Sequence, residues 1–261
     1  MSDAVLYRTT GHVAVITLNR PEARNAVNGA VATGLEAAVD RLEDDPEIRV
    51  GVLVANTAEQ ARPVFSAGAD LKVIGAGQKD SLYTARGGFA GFVFRERQKP
   101  LIAAVDGLAT AGGLEIVLAA DLVVASTRAT FGLAEVTRNL IAAAGGLFRL
   151  PRAIGMAAAM DLILTGEPLG ALRAFELGLV SRLVQPAVIL DEALRLATAI
   201  AANAPLAVRA SRKVVLHAST NDDAALRRLS EDLFDAVMAS EDAREGLTAF
   251  VEKRPPQWKG R

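Results

Sequence analysis

Glu115 is the residue in this chain best placed to move protons. It lies in the stretch Val105-Asp-Gly-Leu-Ala-Thr-Ala-Gly-Gly-Leu-Glu-Ile-Val-Leu-Ala-Ala-Asp-Leu-Val-Val-Ala125. The nearest charges in sequence are Asp106 and Asp121, and apart from Thr110 the residues between are apolar or small. The stretch reads as a strand end, a glycine turn, a short apolar helix starting near Gly112-Gly113, and a second strand. Small residues at a helix start let a ligand approach unpaired backbone N–H groups. A carboxylate in the first turn of such a helix is desolvated and its pKa rises, which suits a group exchanging protons near neutral pH. The same position would also suit a glutamate that only favours the helix dipole or pairs with an arginine.

Two further features add to it. Ser66-Ala-Gly-Ala-Asp-Leu71 is a run of small residues leading into a helix, a turn that can present a backbone N–H to a ligand oxygen, as Gly112 can. Taken alone it is an ordinary tight turn with Asp70 near a helix N-terminus. Glu135 follows Phe131-Gly-Leu-Ala and precedes an Ala/Gly-rich loop; taken alone it is a surface glutamate. Together, two N–H donors and two carboxylates in apolar company are the parts needed to stabilise an enolate while shuttling protons.

Composition narrows the alternatives. The 261 residues are 51% hydrophobic but only 5% aromatic, so a large core is built from Ala, Val, Leu and Ile. Net charge is −1, which gives no electrostatic case for nucleic acid or an anionic membrane as partner. Cysteine is absent, which removes disulfides, thiolate chemistry and cysteine zinc sites. His12 and His217 are far apart in sequence, against a histidine-centred metal site or a Ser-His-Asp triad. The N-terminal residues carry no basic segment followed by an apolar run, and no uncharged apolar run reaches membrane-spanning length. A soluble, cytoplasmic protein is expected.

The elements that must position these groups follow from periodicity. Alternation predicts strands over 5–7 and 12–18 with a turn at 10–11, and helical spacing predicts a helix over 28–43. Short buried strands are expected at 50–55, 100–105 and 129–131. Residues 75–91 hold no period and read as a mobile loop or a poorly ordered helix, whereas 92–98 reads as helical. After a loop containing Gly145-Gly146, a helix is expected over 155–164, then helices over 169–177, 187–203, 206–218, 222–239 and 241–251. Strands thus alternate with helices to about residue 126, the α/β pattern of crossover connections and largely parallel pairing. Beyond about residue 150 the chain reads as all-helical. No fixed-period repeat is visible.

The segments Ile16-Thr-Leu-Asn-Arg-Pro-Glu-Ala-Arg-Asn-Ala26, Phe65-Ser-Ala-Gly-Ala-Asp-Leu-Lys72, 102–125, Phe131-Gly-Leu-Ala-Glu135 and Ala249-Phe-Val-Glu-Lys-Arg254 resemble the crotonase, or enoyl-CoA hydratase/isomerase, superfamily. The likeness runs from about residue 5 to the end, in order and at matching spacings. It implies a ClpP/crotonase-like spiral of repeated ββα turns over 1–195. It also implies a C-terminal all-helical trimerisation and CoA-covering region over 196–261, and a homotrimer or dimer of trimers. By position, the N–H groups of Ala69 and Gly112 would form an oxyanion hole for a thioester carbonyl, and Glu115 and Glu135 would handle the water and the α-proton. Ala67, Asp70 and Leu71 would line an adenine site, with Arg24 near the CoA phosphates and Ala26 in the same strip. Phe250 and Lys253 would close over CoA, often from a neighbouring subunit. No metal or further cofactor is implied, coenzyme A being part of the acyl-CoA substrate.

A pair of acids points to hydration of a 2-enoyl-CoA or the reverse dehydration. The alternatives are a Δ3-Δ2-enoyl-CoA isomerase, which can use one glutamate, and a catalytically weak acyl-CoA-binding homologue. The tail 252–261 and the run 145–152 resemble the carnitinyl-CoA dehydratase branch. Two departures stand out: Ala111 replaces the first of three glycines before the first acid, and the usual Pro-Gly-x-Gly-Gly after the second acid is Ala142-Ala143-Ala144-Gly145-Gly146. Ala143 keeps an N–H but enters positive φ less readily than glycine, so if that N–H helps hold the water, hydration is slowed.

Overall fold

Alternating Val, Ile and Thr residues form the antiparallel pair β1 (Val5–Thr10) and β2 (Val13–Leu18) that opens the chain. The computed structural model describes residues 3–58 and 60–261; Met1 and Ser2 of the N-terminal segment, and Glu59, lie outside the described residues. Asn28 caps α1 (Gly29–Asp44) by accepting from the Val31 N–H, and the helix buries Val31, Leu35, Val39 and Leu42 on one face.

From there the chain repeats one move: a strand in a large sheet, a corner, a strand in a smaller sheet, then a helix or helical turn. The first repeat is β3 (Val50–Ala55), β4 (Val64–Ser66) and α2 (Leu71–Gly75). A small hairpin follows, β5 (Tyr83–Thr84) with β6 (Gly88–Phe89). The second repeat is β7 (Leu101–Val105), β8 (Leu108–Thr110) and α3 (Gly112–Leu118). The third is β9 (Leu122–Ser126), β10 (Thr130–Gly132) and a 3-10 turn over Glu135–Arg138. Next come α4 (Gly146–Ile154), α5 (Met156–Thr165), β11 (Leu169–Gly170), α6 (Ala171–Glu176) and β12 (Arg182–Val184). Four helices finish the chain: α7 (Ile189–Ala201), α8 (Pro205–His217), α9 (Asp223–Met238) and α10 (Glu241–Glu252).

The six-stranded sheet has the order β1-β2-β3-β7-β9-β12, parallel except for β1, and the four-stranded sheet has the order β11-β10-β8-β4, parallel except for β11. Strand β7 is buried along its whole length, as a continuous apolar run covered on both faces should be. Its period of two sorts the side chains. Leu101, Ala103 and Val105 enter the main core, and Ile102 and Ala104 join Val50, Val52 and Val124 beneath α7. Helix α7 answers with Ala193, Ala197 and Ala201, four apart on one face. It spans residue 195, where the two expected regions would meet. Gly107, at φ +83, turns the corner between β7 and β8, where a Cβ would lie 2.0 Å from the Pro63 carbonyl oxygen.

Several sequence expectations need correction. Residues 92–98 form turns, not a helix. Phe92 and Val93 are buried, while Arg95 and Arg97 are drawn apart to Asp40 and Asp121, and Pro100 bars helical continuation. Residues 75–91 are neither a loop throughout nor a helix, because the β5–β6 hairpin sits there with Leu82, Phe89 and Ala90 in the core. Helix α4 starts directly at Gly146, inside what reads as loop. Strands β11 and β12, only two and three residues long, interrupt the region read as all-helical. Among the described residues no helix is long and apolar enough to cross a membrane.

Candidate active site

The three repeats deliver the candidate groups side by side. Strands β4, β8 and β10 are parallel neighbours, and each runs out into one candidate: Ala69 after β4, Gly112 after β8, Glu135 after β10. Ligand sites in parallel sheets characteristically gather at such strand ends.

The backbone donors are built by close approach. Val27 donates to the Gly68 carbonyl at 2.7 Å and accepts from the Asp70 N–H at 2.9 Å, so the Val27–Ala69 bridge leaves the Ala69 N–H turned away from it. Gly112 is the first residue of α3, where N–H groups have no partner within the helix. Neither N–H has a backbone acceptor among the described residues. Gly68, at φ +79, brings the two turns together, since a Cβ there would come within 2.7 Å of the Gly112 nitrogen. At Gly112 a Cβ would strike the Phe89 ring at 2.5 Å, and at Gly113 it would lie 2.1 Å from the Ser66 oxygen. Ala111 holds φ +51 and ψ −130, a conformation that costs an L-residue on the order of 1–3 kcal/mol. Its N–H donates to the Gly132 carbonyl at 2.8 Å, which ties the strained turn to β10.

The acids meet in apolar surroundings. Glu115 is 4% exposed, and its Oε1 accepts from the Gly146 N–H at 3.0 Å. Burial pushes its carboxyl up to about 7, the charge of nearby Glu135 adds to the rise, and the Gly146 and Ala144 N–H groups and Arg149 oppose it. Glu135 starts the 3-10 turn, and its Oε2 is buried with no hydrogen-bond partner among the described residues. Burial also raises its carboxyl, against a backbone hydrogen bond and Arg138. Glu135 is therefore not the surface glutamate that its local sequence suggests. The altered loop is accommodated simply: Ala142, Ala143 and Ala144 are absent from the residues at positive φ, which fall at Asn139 (φ +56) and Gly145 (φ +107) instead.

The remaining candidates separate into two groups. Arg24, Ala26, Ala67 and Asp70 form one strip with Ala69: the Ala67 N–H donates to the Arg24 carbonyl at 3.1 Å, and Ala26 precedes the Val27 bridge. Asp70 is the N-cap of α2, accepting from the Lys72 N–H and from Arg20, whereas the Leu71 and Arg24 side chains are open to solvent. Phe250 and Lys253 are not brought to this strip within the chain. Phe250, on α10, is 84% exposed, and Lys253 is the left-handed cap of that helix. Among the described residues no three His, Cys, Asp or Glu side chains converge as metal ligands.

Sequence reasoning passes over Tyr83, Phe89 and Arg149. Tyr83 stands edge-on to Phe89 with ring centroids 5.7 Å apart, and its phenol is raised by burial and then by the charge of Glu115. The β5–β6 hairpin thus roofs the turn at Gly112. Nothing in the composition of 75–91 signals this. Arg149 is visible only as part of a longer run.

A family model described as enoyl-CoA hydratase/isomerase matches residues 8–261. A probable enoyl-CoA hydratase of Rhizobium meliloti is 39% identical, covering 99% of both chains. A carnitinyl-CoA dehydratase of Salmonella arizonae is 36% identical over the whole of both. The crystal structure of an enoyl-CoA hydratase from Mycobacterium tuberculosis superposes with a TM-score of 0.94 at 42% identity, covering both chains completely.

Proposed function

The chain belongs to the enoyl-CoA hydratase/isomerase family, and from that membership we propose that it adds water across the 2,3-double bond of a 2-enoyl-CoA, or runs the reverse dehydration. The observation that carries this reading is the pairing of Glu115 and Glu135, both with raised carboxyls and close enough for one charge to disturb the other.

The two acids share the proton transfers. As the water oxygen attacks C3, one carboxylate takes its proton and the other carboxyl delivers a proton to C2. Glu115 is held for this by the Gly146 N–H. Electron density moves from the double bond into the thioester carbonyl, whose oxygen accepts from the Ala69 and Gly112 N–H groups while it carries enolate charge. One such donor is worth roughly 3–4 kcal/mol where it has been removed from a protease. After the addition the two carboxyls have exchanged protonation states, and exchange with solvent resets both.

Coenzyme A, as part of the substrate, would lie along the strip Arg24, Ala26, Ala67, Asp70 and Leu71, with Phe250 and Lys253 reaching the site of a neighbouring chain in a trimer or dimer of trimers. Enoyl-thioester absorbance tests the reading, followed over a panel of 2-enoyl-CoAs with and without a quaternary ammonium head group. Glu115→Gln and Glu135→Gln should each lower kcat by about 100-fold or more, the scale of general acid–base catalysis. A parent protein that binds these esters yet turns over none of them would overturn it.

A further inference from the structure

Arg149 lies in the first turn of α4, immediately after the loop that holds Glu115. Its guanidinium turns back rather than out. Nη2 donates to the Val93 carbonyl at 2.6 Å and Nη1 to the Ala144 carbonyl at 3.4 Å. The Phe94 and Phe148 rings lie 5.3 and 5.4 Å from its Cζ, within cation–π range. Desolvating an arginine is costly, and two carbonyls are a partial return for it. What they achieve is mechanical: the fork joins the irregular segment after β6 to the loop 142–146.

That loop is the one that orients the acid. Gly146 donates its N–H to Glu115 Oε1, and the Ala144 N–H faces the same carboxylate while the Ala144 carbonyl accepts from Arg149. At Gly146 a Cβ would lie 3.2 Å from Glu115 Oε1, so the loop has little room to shift without moving the carboxylate. We propose that Arg149 is a positioning residue for Glu115, fixing the 142–146 turn through the Ala144 and Val93 carbonyls and thereby the N–H groups that aim the carboxylate. The inference rests on the hydratase reading of Glu115. The charged and titratable groups that face Glu115 are Glu135 from the 3-10 turn, Arg149 from α4 and Tyr83 from the hairpin.

Lysine keeps the charge but not the planar fork, so Arg149→Lys separates the clamp from the cation, and Arg149→Gln removes both. Arg152→Gln, exposed on the same helix, is the control. Two readouts are taken on the full chain: the pH dependence of 2-enoyl-CoA hydration, and a carbon-13 carboxyl titration of Glu115 in the unliganded protein, assigned by its loss in Glu115→Gln. Both Arg149 variants should lower kcat by roughly 10- to 100-fold with KM within about twofold, the penalty of a reacting group displaced by about 1 Å. Arg149→Gln should also raise the Glu115 midpoint, since a cation and the donors it holds in place both favour the anion. Arg152→Gln should do neither.

An unmoved midpoint in Arg149→Gln together with near-parental kcat in Arg149→Lys overturns the proposal. So does a loss of activity that Arg152→Gln matches. Should Arg149→Gln fail to fold, Arg149→Lys decides alone by its kcat at unchanged KM. Should the parent hydrate no 2-enoyl-CoA, the hydratase reading fails, and the Glu115 midpoint still decides the role of Arg149: a rise in Arg149→Lys, where the charge is kept, supports the positioning role, and a rise in Arg149→Gln alone overturns it.

Discussion

Glu115 is held against its own solvation. Burial raises its carboxyl from the ordinary value of 4.5 to about 7, although backbone N–H groups partly offset the rise. Between those two values the unfolded chain has released the proton and the folded chain keeps it. The folded state therefore binds more protons across this window, and stability falls as pH rises from about 4.5 through 7. Below the window both states hold the proton and the cost vanishes. Glu115→Gln mimics the protonated acid and can still accept from the Gly146 N–H. Urea unfolding at pH 8 should show the variant more stable by on the order of 3 kcal/mol, since each tenfold change in proton affinity is worth about 1.4 kcal/mol. The gain should shrink towards zero near pH 4.5, the ordinary carboxyl value. An equal gain at both pH values would mean that packing, not ionisation, is responsible. Ala111, at φ +51, is a second strained residue in the same turn, and such strain collects where function requires a geometry that stability would not choose.

At the scale of elements, the end of the helix that carries Glu115 is tied to the C-terminal helices by one acid. Asp121 follows α3 and accepts from Arg97 at 3.0 Å, from Arg212 of α8 at 2.9 Å and from the Leu101 N–H at 2.8 Å. The Arg97 side chain is 4% exposed, so Asp121→Ala would leave a buried charge without its counter-ion. Such losses cost about 3–5 kcal/mol, whereas breaking the exposed Arg227–Glu231 pair costs less than about 1 kcal/mol. Denaturant midpoints for Asp121→Ala and Arg227→Ala should separate accordingly; similar midpoints would show that Arg97 rehydrates when freed. This network also marks the limit of what the sequence discloses. The helix over 29–44, strand β7 and the turn into α3 are legible because each satisfies a local period or a glycine requirement. Residues 92–98 are not, since their backbone is set by Arg95 and Arg97 reaching acids 55 and 24 residues away. Glu115 and the small-residue turns are visible as residue types, but the burial of Glu135 and the reach of Arg149 arise only when separate repeats come together.

At the scale of the molecule, the spiral is a structural repeat without a sequence repeat: each turn keeps only strand, corner, strand and helix, which Val-, Ala- and Gly-rich segments of different sequence satisfy equally. It also leaves apolar surface uncovered. Met156, Met160 and Leu164 lie four apart along the outer face of α5, and Leu172, Phe175, Phe234 and Leu247 are likewise exposed on α6, α9 and α10. A stripe of exposed apolar side chains such as that on α5 is the kind of surface that marks an interface. On the trimer or dimer-of-trimers reading proposed above, sedimentation should give a mass three or six times that of the 27.3 kDa chain. Met160→Asp, in the middle of the α5 stripe, should shift the mass towards the monomer, because a carboxylate buried between chains without a partner costs several kcal/mol. Phe250→Ser should leave the mass unchanged and raise KM for the CoA ester, if this side chain serves a neighbour's site and not the contact itself. A parent that sediments as a monomer at micromolar concentration would remove the reason for Phe250 to be exposed. The CoA-covering role of Phe250 and Lys253 would fall with it.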